Sequence, residues 1–155
     1  MQNRESGKTA QPRPKMFRAL GKADPPEQVE IDGHPYGRVD ILKHDSWAAT
    51  ALYQGPPGMV VAKFNRQQSV FGLPMKWLGR RLAQRETRML QRLADLPNIP
   101  DYSGNLEING TNQPHAVTHD YVPGHPLERR EPVNDAFFPT LQQLINDMHA
   151  RDLAY

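Results

Sequence analysis

Three strand-like segments follow one another between residues 36 and 66, and the links between them are only as long as turns. The first is "YGRVDILKHD", the second is "WAATALYQG" and the third is "MVVAKFNR". Gly55-Pro56-Pro57-Gly58 separates the last two and has the composition of a turn. Short strands joined by links of this length are typical of an antiparallel meander. The sequence therefore predicts three neighbouring antiparallel strands as the framework of the fold.

An amphipathic helix is predicted after the third strand. Four apolar side chains fall within about 60° of one another at about 100° per residue, namely Leu78, Leu82, Met89 and Leu93. We expect this stripe to be the buried face of the helix. The helix is expected to end near Ala94, before Pro97.

The rest of the chain predicts a hairpin and a second helix. Asn109-Gly110 favours a tight hairpin because both residues tolerate positive φ. A final apolar stripe predicts a helix with Asn134 or Asp135 as its N-cap, and it consists of Phe137, Leu141, Leu144, Ile145 and Met148. The predicted order is β-β-β-α-β-β-α. This order describes an α+β fold, with a five-stranded antiparallel sheet, one packed helix and a further helix after it.

Composition excludes several classes of protein. The 155 residues include no cysteine, so disulfides and thiolate metal sites are excluded, and a reducing cytoplasm is a compatible location. No run of about 18 apolar residues exists that would predict a membrane span, and the N-terminus lacks the apolar segment of a secretory signal. The six histidines show no metal-ligand spacing, so no metal site is predicted from them.

Residues 1–28 are polar, rich in proline and without periodicity, which predicts a disordered tail. The first 22 residues contain six basic residues against Glu5 alone. A solvated tail is the simplest interpretation. Attraction to an anionic membrane surface is the alternative, and it would place the protein at the inner face of a membrane. Nucleic acid is not expected as a partner, because no aromatic residues are interleaved with the basic ones.

Two charges interrupt apolar patterns. Lys63 lies in the third strand at a position where the pattern predicts core, and Glu86 lies within the apolar stripe of the first helix. An unpaired buried charge lowers the free energy of unfolding by roughly several kcal/mol, so each of these groups needs a partner. We therefore expect the helix to pack on the strand so that Lys63 meets Glu86. Considered one at a time, the two residues have simpler interpretations. Lys63 would be a lysine at a strand end with its ammonium group in water, and Glu86 would be a glutamate at the edge of the apolar stripe.

This arrangement resembles the N-terminal lobe of the protein-kinase-like superfamily. The resemblance rests on "VVAKF", on the inward glutamate, on "VTHDYVPG" and on "LQQLINDMHARDLAY", and it covers residues 36–155. Within the superfamily, "KHDSWAATALY" and "KFNR" look closest to compact bacterial kinases related to lipopolysaccharide-core sugar kinases and to the RIO group.

The resemblance implies binding of ATP with Mg²⁺. Lys63 would hold the α- and β-phosphates, and Glu86 would orient Lys63. The backbone of Asp120, Tyr121 and Val122 would bind adenine as the hinge. The other implied nucleotide positions are Ser46, Val61 and His119.

The chain departs from the superfamily pattern between the first two strands of the meander. The usual G-x-G-x-x-G is absent, and "HDSWAAT" stands in its place. Ser46 and the backbone N–H groups around it are expected to contact phosphate there. Trp47 would either cap the site or pack in the core, and packing is favoured. Val61 replaces the usual alanine beneath adenine, which predicts a tighter pocket.

The catalytic aspartate and the Mg²⁺ ligands are expected beyond Tyr155, because Asp152 follows His149 too closely to match the family pattern. We therefore expect part of a longer kinase, with 29–124 as the N-terminal lobe and 125–155 as the hinge exit and an incomplete second lobe. The complete enzyme would phosphorylate a hydroxyl of a sugar, a lipid-linked sugar or a protein. Two alternatives are a non-catalytic, kinase-derived binding module and a small adaptor that binds anionic membrane or RNA.

Overall fold

The structure is a computed structural model, and it describes residues 18–69, 72–125 and 127–153. The seven strands are β1 (Gln28–Ile31), β2 (His34–His44), β3 (Ala48–Gln54), β4 (Met59–Asn65), β5 (Leu106–Ile108), β6 (Thr111–Asn112) and β7 (Ala116–Asp120). The two helices are α1 (Lys76–Leu93), between β4 and β5, and α2 (Phe137–His149), after β7.

All strands belong to one antiparallel sheet with the order β6-β5-β1-β2-β3-β4-β7. The sheet curls until its two ends approach each other. Residues 101–103, which lead into β5, run beside β7, where the Asp120 N–H donates to the Asp101 carbonyl at 2.9 Å. A bridge between Tyr102 and His119 continues this contact. The outer edge of β7 is therefore largely covered.

The predicted α+β class and the antiparallel meander are confirmed, but the number of strands was wrong. The sheet has seven strands instead of five. One extra strand is β1, which a turn at Asp32 (φ 49°) and Gly33 (φ 78°) joins to β2. The other is β6, only two residues long, which pairs with β5 across the predicted turn at Asn109 (φ 50°) and Gly110 (φ 70°). Both turns have the positive φ at two residues that tight hairpins require.

The curled sheet encloses an apolar core. Alternate residues of the strands point inward, and the buried cluster comprises Val29, Ile31, Tyr36, Ala49, Ala51, Tyr53, Val60, Ala62, Phe64 and Leu106. The Tyr53 hydroxyl donates to the Pro26 carbonyl at 2.8 Å, so this buried polar group has a partner. The opposite face of β3 and β4 carries Leu52, Val61 and Lys63, and this face is available to α1 and to the site.

Helix α1 lies against the sheet through small residues. Its buried residues are Gly79, Ala83 and Leu93. A Cβ built on Gly79 would lie 2.2 Å from the Arg66 carbonyl oxygen, so only glycine permits this approach. The predicted buried stripe was therefore wrong in part. Leu93 is buried, but Leu82 is 37% exposed, and Leu78 and Met89 are only half-buried. The larger side chains lie to one side because the small residues make the contact.

Residues 18–27 are packed against the sheet. Ala19 is fully buried and its N–H donates to the Asp45 carbonyl at 2.7 Å. Arg18 contacts both Asp24 and His44, so this basic residue is not part of a free tail. The predicted disordered tail was therefore extended too far toward residue 28, and its residues 1–17 lie outside the described residues.

Helix α2 ends near the C-terminus of α1. The Arg151 guanidinium, just after α2, donates to Asp95 Oδ2 at 2.7 Å, and to the Arg92 carbonyl at 3.1 Å. None of the residues of α2 is buried. The N-cap is Ala136 and makes no side-chain cap bond, so the prediction of Asn134 or Asp135 was wrong by one or two residues.

Candidate functional site

Lys63 and Glu86 form an ion pair between the sheet and the helix. Lys63 Nζ donates to Glu86 Oε2 at 2.7 Å, and the residues are 23 positions apart in the chain. The predicted pairing is therefore confirmed. The two side chains are 34% and 33% exposed, so they meet at the edge of the packed region, not inside it. An ammonium group has three donors, and Glu86 uses one of them.

An open cleft of about 500 Å³ lies beside the ion pair. Its lining combines the turn between β2 and β3, the end of β4 and one side of α1, and it consists of Trp47, Ala48, Lys63, Asn65, Leu82, Arg85, Glu86 and Met89. Trp47 is 61% exposed, so the prediction that it packs in the core was wrong. The cleft thus has apolar residues in its lining and carries the charges of Lys63, Glu86 and Arg85.

The turn between β2 and β3 is closed by its own aspartate. Asp45 Oδ1 accepts from the N–H groups of Trp47 at 2.8 Å and of Ala48 at 2.9 Å, and Lys43 Nζ lies 2.7 Å from the other oxygen. Burial acts to raise the pKa of the Asp45 carboxyl, but these hydrogen bonds outweigh burial and lower its pKa to about 2. The two N–H groups that follow Ser46 are therefore already engaged within the chain. The predicted phosphate contact of Ser46 stays a prediction.

Arg66 connects this turn to the start of the segment before α1. Its backbone N–H donates to the Trp47 carbonyl at 2.8 Å, and its guanidinium donates to the carbonyls of Ser46 at 2.5 Å and of Gln68 at 3.0 Å. Arg66 is only 5% exposed. Its carbonyl oxygen is also the group that Gly79 approaches. One buried arginine therefore sets the position of the turn relative to α1.

The predicted hinge residues lie at the end of β7 and directly after it, and none of them lines the cleft. Val61 pairs with His119 across β4 and β7, so both share the face of Lys63. The N–H of Asp120 donates to Asp101, and the N–H of Tyr121 donates to the Met59 carbonyl at 3.0 Å. These two donors are thus used within the chain. Val122 is 64% exposed. Binding of adenine by these residues stays a prediction.

The described part of the structure shows no group of side chains at the site that could bind a metal ion. Within residues 18–69, 72–125 and 127–153, no group of three or more His, Asp or Glu side chains is placed to hold a metal ion. In the same ranges, no helix has both the length and the apolar character needed to cross a membrane. Asp152 follows α2 at φ 57° and is exposed. It lines a groove that adjoins the cleft beside Lys63 and shares Leu82, Arg85 and Met89 with it.

The sequence did not single out Leu82, Arg85 and Met89 as lining of the site. The signal was available in part, because residues 82, 85, 86 and 89 are neighbours on one side of a helix at spacings of three and four.

Comparison of the chain with protein-family models, with curated proteins and with solved structures finds no match.

Proposed function

We propose that this chain binds ATP in the cleft beside Lys63, as the nucleotide-binding part of a phosphotransferase. The observation that carries the proposal is the Lys63–Glu86 pair at 2.7 Å, at the edge of an open cleft. Glu86 positions the ammonium group while leaving it partly exposed, so Lys63 retains donors for phosphate oxygens. The resemblance of the sequence to kinase-like proteins points to the same pair.

The other groups of the cleft fit a nucleoside triphosphate. Arg85 adds a second cation beside Lys63, and the single carboxylate among the lining residues, that of Glu86, is neutralised by its partner. Leu82, Met89 and Trp47 provide apolar surface in the lining. The cleft therefore favours an anion with an attached flat, partly apolar group, which describes ATP. Mg²⁺ would accompany the nucleotide and neutralise part of its phosphate charge.

Nucleotide affinity tests the proposal directly. We expect titration calorimetry to detect binding of ATP with Mg²⁺ to the full chain, and Lys63→Met to weaken that binding by at least tenfold, because one charge-assisted contact is worth about 1.5–3 kcal/mol. Glu86→Gln should weaken binding less, because it loosens Lys63 without removing its charge. Lys22→Met, at an exposed lysine on residues 18–27, is the matched control. Equal affinity of the Lys63→Met variant and the unmodified chain would refute the proposal.

The chemical step is assigned to no residue of this chain. The acceptor would be a hydroxyl of a sugar, a lipid-linked sugar or a protein, as the resemblance implies. Asp152 is not among the residues that line the cleft beside Lys63, although it lines a neighbouring groove that shares Leu82, Arg85 and Met89 with that cleft. Asp152→Ala should therefore leave ATP affinity unchanged, and a loss of affinity in this variant would place Asp152 in the site.

A second candidate is a binding module without catalysis. It is favoured by α2, which exposes Phe138, Leu141 and Ile145 at 66%, 41% and 42%. In such a module the exposed face would recruit a partner, and Lys63 and Glu86 would only tie α1 to the sheet. One measurement distinguishes the two candidates. A module without a nucleotide site does not bind ATP through Lys63, whereas the nucleotide-binding candidate does.

A further inference from the structure

Four arginines of α1 form one continuous stripe. Arg81, Arg85, Arg88 and Arg92 follow each other at spacings of four, three and four residues, and they fall within about 60° of one another around the helix. Like charges at these spacings destabilise a helix. Among the described residues, no carboxylate lies within ion-pair distance of any of the four. The Arg92 guanidinium donates to the Arg151 carbonyl, but no ion pair among the described residues offsets the repulsion along the stripe.

The stripe forms one wall of a groove. Asp152 and Leu153, after α2, also line this groove, which has a volume of about 810 Å³. We call this feature the arginine groove. Its lining also includes Trp77, which is 61% exposed, together with Leu82. A helix face that merely contacts solvent needs neither lining from a second element nor an exposed tryptophan, so the combination indicates a binding surface.

We propose that the arginine groove binds an acidic segment of a partner protein in an extended conformation. Charge complementarity requires an anionic ligand, because the groove has four guanidinium groups against the single carboxylate of Asp152. A concave surface fits a chain segment better than a flat membrane. The exposed Trp77 and Leu82 favour a ligand with apolar side chains, which a polyphosphate lacks.

The spacing of the arginines supports an extended peptide. Residues four apart on a helix are separated by about 6 Å along the axis. Alternate residues of a strand project to one side at a spacing of about 6.6–6.8 Å. Acidic residues at every second position can therefore meet the arginines that are four apart, Arg81 with Arg85 and Arg88 with Arg92, while the residues between them face away. The stripe from Arg81 to Arg92 spans about 16 Å, which is enough for three such contacts.

The arginine groove adjoins the proposed nucleotide site and shares Leu82, Arg85 and Met89 with it, so its ligand is tested in the absence of nucleotide. The probe is a fluorescein-labelled decapeptide that has glutamate at every second position, with leucine and serine between. Titration of the full chain in the absence of nucleotide, followed by fluorescence anisotropy, should show binding that weakens as salt is added. A peptide with lysine in place of every glutamate should not bind.

Two variants of the same helix locate the interaction. Arg88→Gln should weaken peptide binding by about tenfold, because it removes one charge-assisted contact. Arg80→Gln makes the same charge change on an exposed position outside the groove, and it should leave the affinity within about twofold. Circular dichroism of both variants should match that of the unmodified chain, which excludes an effect through helix stability.

Three results would overturn the proposal. The first is no binding of the glutamate peptide at about 1 mM, a concentration that corresponds to only about 4 kcal/mol of affinity. The second is an equal loss of affinity in the Arg80→Gln and Arg88→Gln variants, which would indicate attraction by net charge alone. The third is binding to phosphatidylserine vesicles or to tripolyphosphate without binding to the peptide, which would assign the groove to a lipid surface or to phosphate groups.

Discussion

The two helices of this chain are both amphipathic, yet only α1 has a buried face. It buries Gly79, Ala83 and Leu93 against the sheet, whereas α2 buries no residue at all. Helix α2 is the more apolar of the two in its composition. Apolar content therefore does not decide which helix is packed.

The difference follows from how closely each helix approaches another element. Small residues bring α1 to the Arg66 carbonyl, and the Lys63–Glu86 pair joins the same helix to β4. Helix α2 is held at its C-terminal end, where Arg151 contacts Asp95 and the Arg92 carbonyl. Close packing of small side chains thus gives α1 its place. The apolar face of α2 is left available for contact with another surface.

The largest expected effect comes from Leu93→Ala at the end of α1. Leu93 is 3% exposed, so truncation removes buried apolar area and leaves a cavity. We expect the free energy of unfolding to fall by about 2–5 kcal/mol. Urea denaturation followed by circular dichroism measures this change. A loss below about 1 kcal/mol would mean that the buried face of α1 contributes no more than an ordinary surface position does. The two helices would then not differ in how strongly they are packed.

Gly79→Ala should give the next largest effect. Alanine in a helix is favoured over glycine by about 1 kcal/mol when nothing else changes. Here the new Cβ would lie 2.2 Å from a backbone carbonyl oxygen, so overpacking at a cost of about 1–3 kcal/mol should exceed that gain. Thermal unfolding of the variant should therefore occur at a lower temperature than that of the unmodified chain.

Gly37→Ala is the matched control for Gly79→Ala. A Cβ built on Gly37 in β2 meets nothing within 4 Å, and its φ is not in the left-handed region. We expect this variant to be neutral or more stable by about 0.4–1 kcal/mol, because alanine restricts the unfolded chain. Destabilisation of both variants to the same extent would show that contact with Arg66 is not the cause.

Local signals were enough to predict much of the fold. Short strand-like segments joined by turn-sized links predicted β2, β3 and β4, Asn109-Gly110 predicted the turn between β5 and β6, and the end of α1 was predicted near Ala94, before Pro97. The pairing of Lys63 with Glu86 was also predictable, because two charges interrupted apolar patterns on elements adjacent in sequence. β1 was missed, although Asp32-Gly33 after it is a hairpin signal of the same kind as Asn109-Gly110.

Features that depend on the distance between elements were not predictable. The face that α1 buries depends on the approach of Gly79 to a carbonyl at the end of β4, and a helical wheel contains no information about that carbonyl. By contrast, the closure of the turn by Asp45 is local and could have been predicted, since aspartate often accepts hydrogen bonds from backbone N–H groups two and three residues ahead. The exposure of Trp47 depends on which element faces it, and a single residue type does not indicate this.

Acidification should affect the packing of α1 more weakly than these substitutions do. His115 is buried beside Phe64, at a ring distance of 6.5 Å. Burial lowers its pKa, and the positive charges of Arg80 and Lys76 on α1 lower it further. The folded state therefore binds a proton less readily than the unfolded state. The stabilisation is complete above the unfolded pKa of about 6.5 and is lost as the pH falls through the lower pKa of the folded state.

Thermal unfolding at about pH 7.5 and about pH 5.5 measures this effect. The midpoint should fall on acidification, and His115→Gln should reduce the difference between the two conditions. His44 contributes in the same direction, because burial and then Arg18 lower its pKa. His34→Gln, at an exposed position, is the control. A midpoint that rises on acidification would contradict the assignment of a neutral, buried His115.

Leu141→Gln in α2 should have the smallest effect. Leu141 is 41% exposed, and glutamine has nearly the same helix propensity as leucine, so we expect a change within about 0.5 kcal/mol. Urea denaturation compares it with Leu93→Ala under the same conditions. A loss above about 1 kcal/mol would mean that the face of α2 is covered in solution. Light scattering across a range of concentrations would then distinguish the two causes, because a second copy covers the face only where the mass rises with concentration.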